Sequence, residues 1–219
     1  MEGIRERLGL YAVTDRTWAA DGEALLGQVE AAIRGGAGIV QLREKGGGDL
    51  LPLASRFTAL CRRLGCVSII NDDVELALAA GADGVHVGQE DLAAALARER
   101  LGPRKILGVS AHSVAEALAA QAAGADYLGV GAAFATGTKA DARPIARETI
   151  RAITAAVEIP VVAIGGIGPE NILELSGCGL AGVAVVSALF GAEDVLAAAR
   201  ELSALSGRMV KGSIGEKRP

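Results

Sequence analysis

The chain has 219 residues, 51% of them hydrophobic, with a formal net charge of -4. That length buries one large core, and aromatics at 3% mean the core is aliphatic. Mild acidity without any basic, aromatic-interleaved stretch excludes a nucleic-acid surface, and the lack of an 18-residue apolar run or a signal-type h-region excludes a membrane span, so a cytoplasmic protein is expected.

The three cysteines, Cys61, Cys66 and Cys178, form no paired spacing and have no histidine cluster beside them. They read as free thiols in a reducing compartment rather than as disulfides or metal ligands.

In chain order, short β-rich runs alternate with Ala/Leu/Glu/Arg-rich helical patterns. The strand candidates are 8–14, 38–43, 67–71, 84–87, 106–110, 127–131, 161–165 and 182–186, each followed by a helix candidate, the last from about Ala192 to Leu205. Eight βα units in this length predict a single-domain (β/α)8 TIM barrel over residues 1–207. Residues 208–219 carry several cations and read as a disordered tail. A doubly wound open sheet would accept the alternation but needs fewer strands and usually a Gly-rich first turn.

An internal repeat supports the count. Ala37, Ala82, Ala125 and Ala181 sit in related segments before the even-numbered strands, so the repeating unit is a quarter barrel. Gly36, Gly81 and Gly124 fit left-handed helix-closing positions, which a β-carbon disfavours; the fourth segment instead has Gly177 and Gly179 nearby. Ser113–Glu116 reads as a capping box and Pro169 as a helix first turn.

Active sites of such barrels lie at the carboxyl ends of the strands. The polar residues there are Gln41, Arg43 and Lys45 after strand two, Asn71 and Asp72 after strand three, and Gln89 and Asp91 after strand four. Ser110 ends strand five, Thr136, Thr138 and Lys139 follow strand six, Gly165 and Gly166 strand seven, and Ser187 strand eight. Strand alternation puts Gln41 and Arg43 inward, with Val40 and Leu42 outward. A buried Arg43 needs an anion, supplied either by a neighbouring carboxylate or by a ligand. Lys45 and Lys139 add cations that favour a polyanion. Asp72 and Asp91 each read alone as helix caps; as a pair on adjacent strands they can share Mg²⁺ with a pyrophosphate. Gly166 and Ser187 suit a monophosphate bound by backbone N–H groups and a hydroxyl. His86 reads as a core residue, and neither it nor His112 forms a triad or a metal set. Charge stabilisation rather than proton transfer is the expected chemistry.

The motifs QLREK at 41–45, IND at 70–72, GQED at 88–91, GVSAHS at 108–113, TGTK at 136–139, AIGGI at 163–167 and VVS at 185–187 resemble, in order, the thiamine-phosphate synthase family. That resemblance implies condensation of 4-amino-2-methyl-5-(diphosphomethyl)pyrimidine with 4-methyl-5-(2-phosphoethyl)thiazole, or its carboxylated tautomer, to give thiamine phosphate and pyrophosphate. It implies Gln41, Arg43, Lys45, Asn71, Ser110 and Lys139 on the pyrimidine diphosphate, with Arg43, Lys45, Ser110 and Lys139 catalytic. It further implies Mg²⁺ on Asp72 and Asp91, and Thr136, Thr138, Gly166, Val186 and Ser187 on the thiazole phosphate. The implied mechanism is dissociative, and capture by the thiazole nitrogen releases no proton. Small phosphorylated molecules are the partners, with no nucleic acid or membrane, and a homo-oligomer is left open. The loop at 131–139 departs from the family pattern in lacking prolines. The alternatives are a thiazole tautomerase, whose family has a catalytic histidine at the position of Ala132, and a non-catalytic phosphate-ligand sensor.

Overall fold

The computed structural model describes residues 3–44, 48–88, 94–137 and 144–214, with the side chains of 213 and 214 excepted. Eight parallel strands close on themselves in chain order: β1 (Leu10–Val13), β2 (Ile39–Leu42), β3 (Val67–Asn71), β4 (Gly84–Val87), β5 (Ile106–Ala111), β6 (Tyr127–Gly131), β7 (Val161–Ile164) and β8 (Gly182–Val185). β8 pairs with β1, so the sheet has no edge, which rules out the open doubly wound sheet.

The strands alternate between two apolar layers. Val40, Leu42, Val85, Leu107, Leu128 and Val183 face outward and pack under the helices. Tyr11, Ile39, Ile69, Ile106, Tyr127 and Val162 fill the barrel interior. Period-two patterning buried on both faces gives the near-continuous apolar runs that mark a parallel sheet.

The outer layer consists of α1 (Ile4–Arg7), α2 (Gly22–Arg34), α3 (Leu51–Arg63), α4 (Val74–Ala79), α5 (Ala94–Leu101), α6 (Val114–Ala122), α7 (Arg147–Ala156), α8 (Ser187–Phe190) and α9 (Val195–Ile214). The expected helix after β7 is instead a short 3-10 turn, Ile172–Leu175. An additional four-residue helix, α8, precedes α9. Buried alanines at 77, 97, 117 and 120 let the thin helices α4 to α6 lie close to the sheet.

The quarter-barrel repeat has a structural basis. Gly36, Gly81 and Gly124 have φ values of 117°, 66° and 89°, and both Gly177 and Gly179 of the fourth segment are also left-handed. After two of these glycines, an aspartate ties the strand to its neighbour. Asp83 Oδ2 accepts from the backbone N–H and the hydroxyl of Ser68, at 2.8 and 2.7 Å. Asp126 Oδ2 accepts from Leu107 N at 2.8 Å and from Arg98 Nη2 at 2.6 Å. Arg98 also donates to the carbonyls of Gly102, Lys105 and Gly124. The amino-terminal end of the barrel thus carries a polar staple that the sequence pattern did not reveal, and its acceptors and donors are matched.

The C-terminal boundary needs correction. Residues 208–214 continue α9, and the buried positions Val195, Ala199, Leu202, Ser206 and Met209 form one helical stripe. Met209 is the next apolar beat of that stripe, so the tail expected from Arg208 is part of the fold at least to Ile214; residues 215–219 lie outside the described residues. Met209→Ala should therefore lower unfolding free energy by about 2–4 kcal/mol, as for other buried apolar truncations, measured by urea denaturation. An unchanged midpoint would mean that Met209 contributes no packing.

Candidate active site

The carboxyl ends of the strands bring Gln41, Arg43, Asn71, Asp72, Ser110, Thr136, Gly166, Val186 and Ser187 to one rim, as strand order and direction require. Lys45, Gln89, Asp91, Thr138 and Lys139 lie outside the described residues.

Strand parity holds at β2. Gln41 is 4% exposed and turns into the barrel, where its Nε2 donates to the Tyr11 hydroxyl at 2.7 Å. From there hydrogen bonding runs on across the interior. Tyr11 OH lies 2.8 Å from Tyr127 OH, Tyr127 OH 3.0 Å from His86 Nδ1, and His86 Nε2 3.0 Å from Ser110 Oγ. Five strands contribute one residue each. With Gln41 as donor, these contacts are met when each hydroxyl passes its proton onward, His86 accepting at Nδ1 and donating from Nε2 to Ser110.

Tyr11, Tyr127 and His86 were not among the site residues read from the sequence, and His86 is not simple core filling. The available signal was parity: both tyrosines of the chain and His86 fall on inward positions, beside inward glycines on β5 and β6. A β-carbon at Gly108 would lie 2.1 Å from Tyr127 Cζ and 2.5 Å from His86 Nδ1, and one at Gly129 3.1 Å from His86 Cε1. The glycines clear the volume that the aromatic groups occupy.

Arg43 realises one of its two alternatives. Its Nη1 lies 3.7 Å from Asp15 Oδ2, and its side chain remains 17% exposed toward the mouth. Asp15 is shared, because its Oδ1 also caps the 3-10 turn Arg16–Trp18 through Thr17 N at 2.9 Å. Thr14 Oγ1 receives the Arg43 N–H at 2.9 Å and fixes the backbone there. Glu44 is bound by Arg16, with Nε to Oε2 at 3.1 Å.

At β3 the cap lies one residue beyond Asp72. Asp73 is the N-cap of α4, accepting from Leu76 N at 2.8 Å. Capping therefore does not account for Asp72, which has φ 63°, the sole non-glycine left-handed conformation among the described residues. Its N–H donates to His86 O at 2.8 Å, and its Oδ2 accepts from Asn71 Nδ2. An exposed carboxylate held this way at the mouth offers hard oxygens of the kind that Mg²⁺ takes. Among the described residues, no group of three or more His, Cys, Asp or Glu side chains forms a metal cluster.

On the other side of the mouth, a pocket of about 440 Å³ is lined by Thr136, Gly166, Ile167, Gly168, Glu170 and Ser187, among others. Gly166 has φ 63°, and a β-carbon there would meet Ala135 O at 2.3 Å. The 133–134 segment is hydrogen-bonded to this loop, Ala133 N to Ile164 O at 2.8 Å and Phe134 N to Gly165 O at 3.0 Å. At the start of α6, the His112 N–H and Nδ1 both bind Glu116 Oε2, completing the cap with Ser113. Burial raises the Glu116 carboxyl, but the hydrogen bonds from His112 and Ser113 outweigh it and leave it lowered.

A model of the family described as thiamine monophosphate synthase matches residues 10–189. A thiamine-phosphate synthase of Moorella thermoacetica is 51% identical over 196 residues, covering 88% of this chain and 93% of its own. One from Chloroflexus aurantiacus is also 51% identical, over 90% of this chain and 91% of its own. Among solved structures, a thiamine phosphate pyrophosphorylase from Pyrococcus furiosus superposes with a TM-score of 0.85 at 40% identity, covering 94% of this chain and 98% of that one. No helix among the described residues is long and apolar enough to cross a membrane.

Burial pushes both tyrosine hydroxyls well above the ordinary phenol range; for Tyr11 the hydrogen bonds with Tyr127 and Gln41 offset part of it, and for Tyr127 the neighbouring Tyr11 adds to it. Their folded values exceed the unfolded value near 10, so their contribution is fully present below about pH 10 and is lost as pH rises above it. The urea midpoint should fall above about pH 10, with phenolate absorbance appearing only as the protein unfolds. These are the chain's two tyrosines, so ordinary phenol titration in the folded protein would contradict the network. Gly108→Ala should cost about 1–3 kcal/mol by overpacking, whereas Gly27→Ala, where a β-carbon meets nothing within 4 Å, should be neutral or stabilising by about 0.5–1 kcal/mol in the same unfolding assay.

Proposed function

The chain belongs to the thiamine monophosphate synthase family, and from that premise we propose that it condenses 4-amino-2-methyl-5-(diphosphomethyl)pyrimidine with 4-methyl-5-(2-phosphoethyl)thiazole, giving thiamine phosphate and pyrophosphate. The observation that carries the reading is 51% identity to a thiamine-phosphate synthase across nearly the whole barrel.

The polar interior suits the aminopyrimidine. Gln41, Tyr11, Tyr127, His86 and Ser110 form a fixed floor of donors and acceptors below the rim. A heterocycle resting on it meets groups that are already oriented, and little reorganisation is needed in the transition state. Asn71 and Ser110 face the diphosphate end. Arg43, with Lys45 and Lys139 assigned from sequence, neutralises charge on the leaving group. Asp72, with Asp91, would hold Mg²⁺, which when bound neutralises the departing pyrophosphate. The carbon–oxygen bond breaks with its electron pair on pyrophosphate, and the electron-rich aminopyrimidine carries the cation. Thr136, Thr138, Gly166, Val186 and Ser187 orient the thiazole phosphate so that the ring nitrogen forms the new carbon–nitrogen bond. No proton is lost, and Ala132 is a buried methyl that could not accept one. The substrates are small phosphorylated molecules, and the protein acts in the cytoplasm.

The test supplies both substrates with Mg²⁺ and follows pyrophosphate and thiamine phosphate together. Stoichiometric formation of both is expected; absence of thiamine phosphate would overturn the reading. Two adjacent aspartates should separate cleanly. Asp72→Asn keeps a residue tolerant of left-handed backbone but removes the charge, and kcat/KM should fall about a hundredfold or more with little change in stability. Asp73→Ala should cost about 1 kcal/mol of stability through the lost cap and leave most of the turnover. Reversed outcomes would exclude Asp72 as a metal ligand.

A further inference from the structure

We infer that Asn171 is the positioning residue that shapes the β7 loop into an anion cradle for the thiazole phosphate; this rests on the proposed function. Asn171 occupies the N-cap of the Ile172–Leu175 turn, where an asparagine ordinarily reaches forward to the first free N–H groups. Here it makes no such bond. Its side chain turns back instead. Nδ2 donates to Gly166 O at 2.8 Å, and Oδ1 accepts from Gly168 N at 3.0 Å.

The two partners fix the amide's orientation, since a carbonyl requires the donor and an N–H requires the acceptor. Asparagine alone of the short side chains spans both with separate atoms. Aspartate keeps the acceptor and loses the donor; alanine loses both. The clamp closes on the point of least conformational tolerance, Gly166, whose φ is 63° and whose α-carbon packs against the 134–135 backbone. On its far side the loop is held by Phe134 N to Gly165 O, and Ile172 N binds Gly168 O at 3.0 Å. Every carbonyl from Ile164 to Gly166 is thereby occupied. Among the described residues, the N–H groups of Gly166 and Ile167 have no hydrogen-bond acceptor. Both residues line the 440 Å³ pocket beside Ser187. A loop with its carbonyls tied away and adjacent N–H groups unspent is built to receive an anion.

Asn171 does not touch substrate in this scheme, so its effect should fall on one substrate. Steady-state kinetics of full-length wild type, Asn171→Ala and Asn171→Asp are measured with each substrate varied in turn at saturating partner and Mg²⁺. For Asn171→Ala the KM for the thiazole phosphate should rise about tenfold, the loss expected from two hydrogen bonds that preorganise a charged contact. The KM for the pyrimidine diphosphate and kcat at saturation should stay within about twofold. Asn171→Asp is nearly isosteric and should show the same split with a thiazole-phosphate KM at least as high, because it loses the clamp to Gly166 O and adds negative charge near the phosphate. Equal rises in both KM values, or a fall confined to kcat, would assign Asn171 a general structural role and overturn the inference, as would unchanged kinetics. If Asn171→Ala does not fold, Asn171→Asp decides by the same split. Wild type that makes no thiamine phosphate would overturn the functional reading and this inference together; wild-type turnover with an unmoved variant KM would overturn the Asn171 role alone.

Discussion

The interior of this barrel has to be filled and yet polar near its mouth, and the hydrogen-bonded chain from Gln41 through Tyr11, Tyr127 and His86 to Ser110 meets both demands. A buried hydroxyl or imidazole without a partner is costly, so each member holds its neighbour in one orientation. Tyr11 and Tyr127 come from β1 and β6 and touch edge to face, with centroids 5.8 Å apart. That meeting exists because the sheet closes, and β5 and β6 leave room for Tyr127 and His86 by presenting glycine at 108 and 129. Barrel closure, strand composition and the geometry of the site are one constraint seen at three scales.

The aspartates divide into kinds by what surrounds them. Asp83 and Asp126 bind backbone N–H groups at the amino-terminal end and serve the strands. Asp15, Asp21, Asp73 and Asp194 each accept from a backbone N–H at the start of a turn or helix. Among the described residues, Asp72 alone of the aspartates holds a left-handed backbone, which capping does not explain. Strain of this kind persists where the surrounding structure imposes it, and here the Asp72 N–H is held by the backbone carbonyl of His86 on the neighbouring strand.

Much of this was legible in the sequence because it depends on periodicity. Eight apolar runs with polar stops gave the strands within a residue or two, and alternation at Gln41 and Arg43 gave their direction into the barrel. What stayed hidden depends on pairing between distant strands. Nothing local to His86 distinguishes a packed imidazole from one bonded to Tyr127 and Ser110, 41 and 24 residues away. Consecutive aspartates at 72 and 73 are equally good caps on paper, and only the backbone turn selects Asp73. The helix expected after β7 is a 3-10 turn, at whose start Asn171 spends its amide on the preceding loop rather than on the first free N–H groups. Met209 was obscured by the cations around it, although its spacing continues the α9 stripe.

The network also bears on why the chemistry does without a general base. A catalytic imidazole needs a nitrogen that can take up a proton and release it to the substrate. Both ring nitrogens of His86 are engaged, Nδ1 with the Tyr127 hydroxyl and Nε2 with Ser110 Oγ. Tyr127 and Tyr11 could yield only by ionising, which burial opposes. The arrangement therefore resists proton movement and holds a fixed dipolar surface instead. A reaction in which pyrophosphate leaves and a tertiary ring nitrogen attacks asks for that: charges placed in advance, and no proton to carry away.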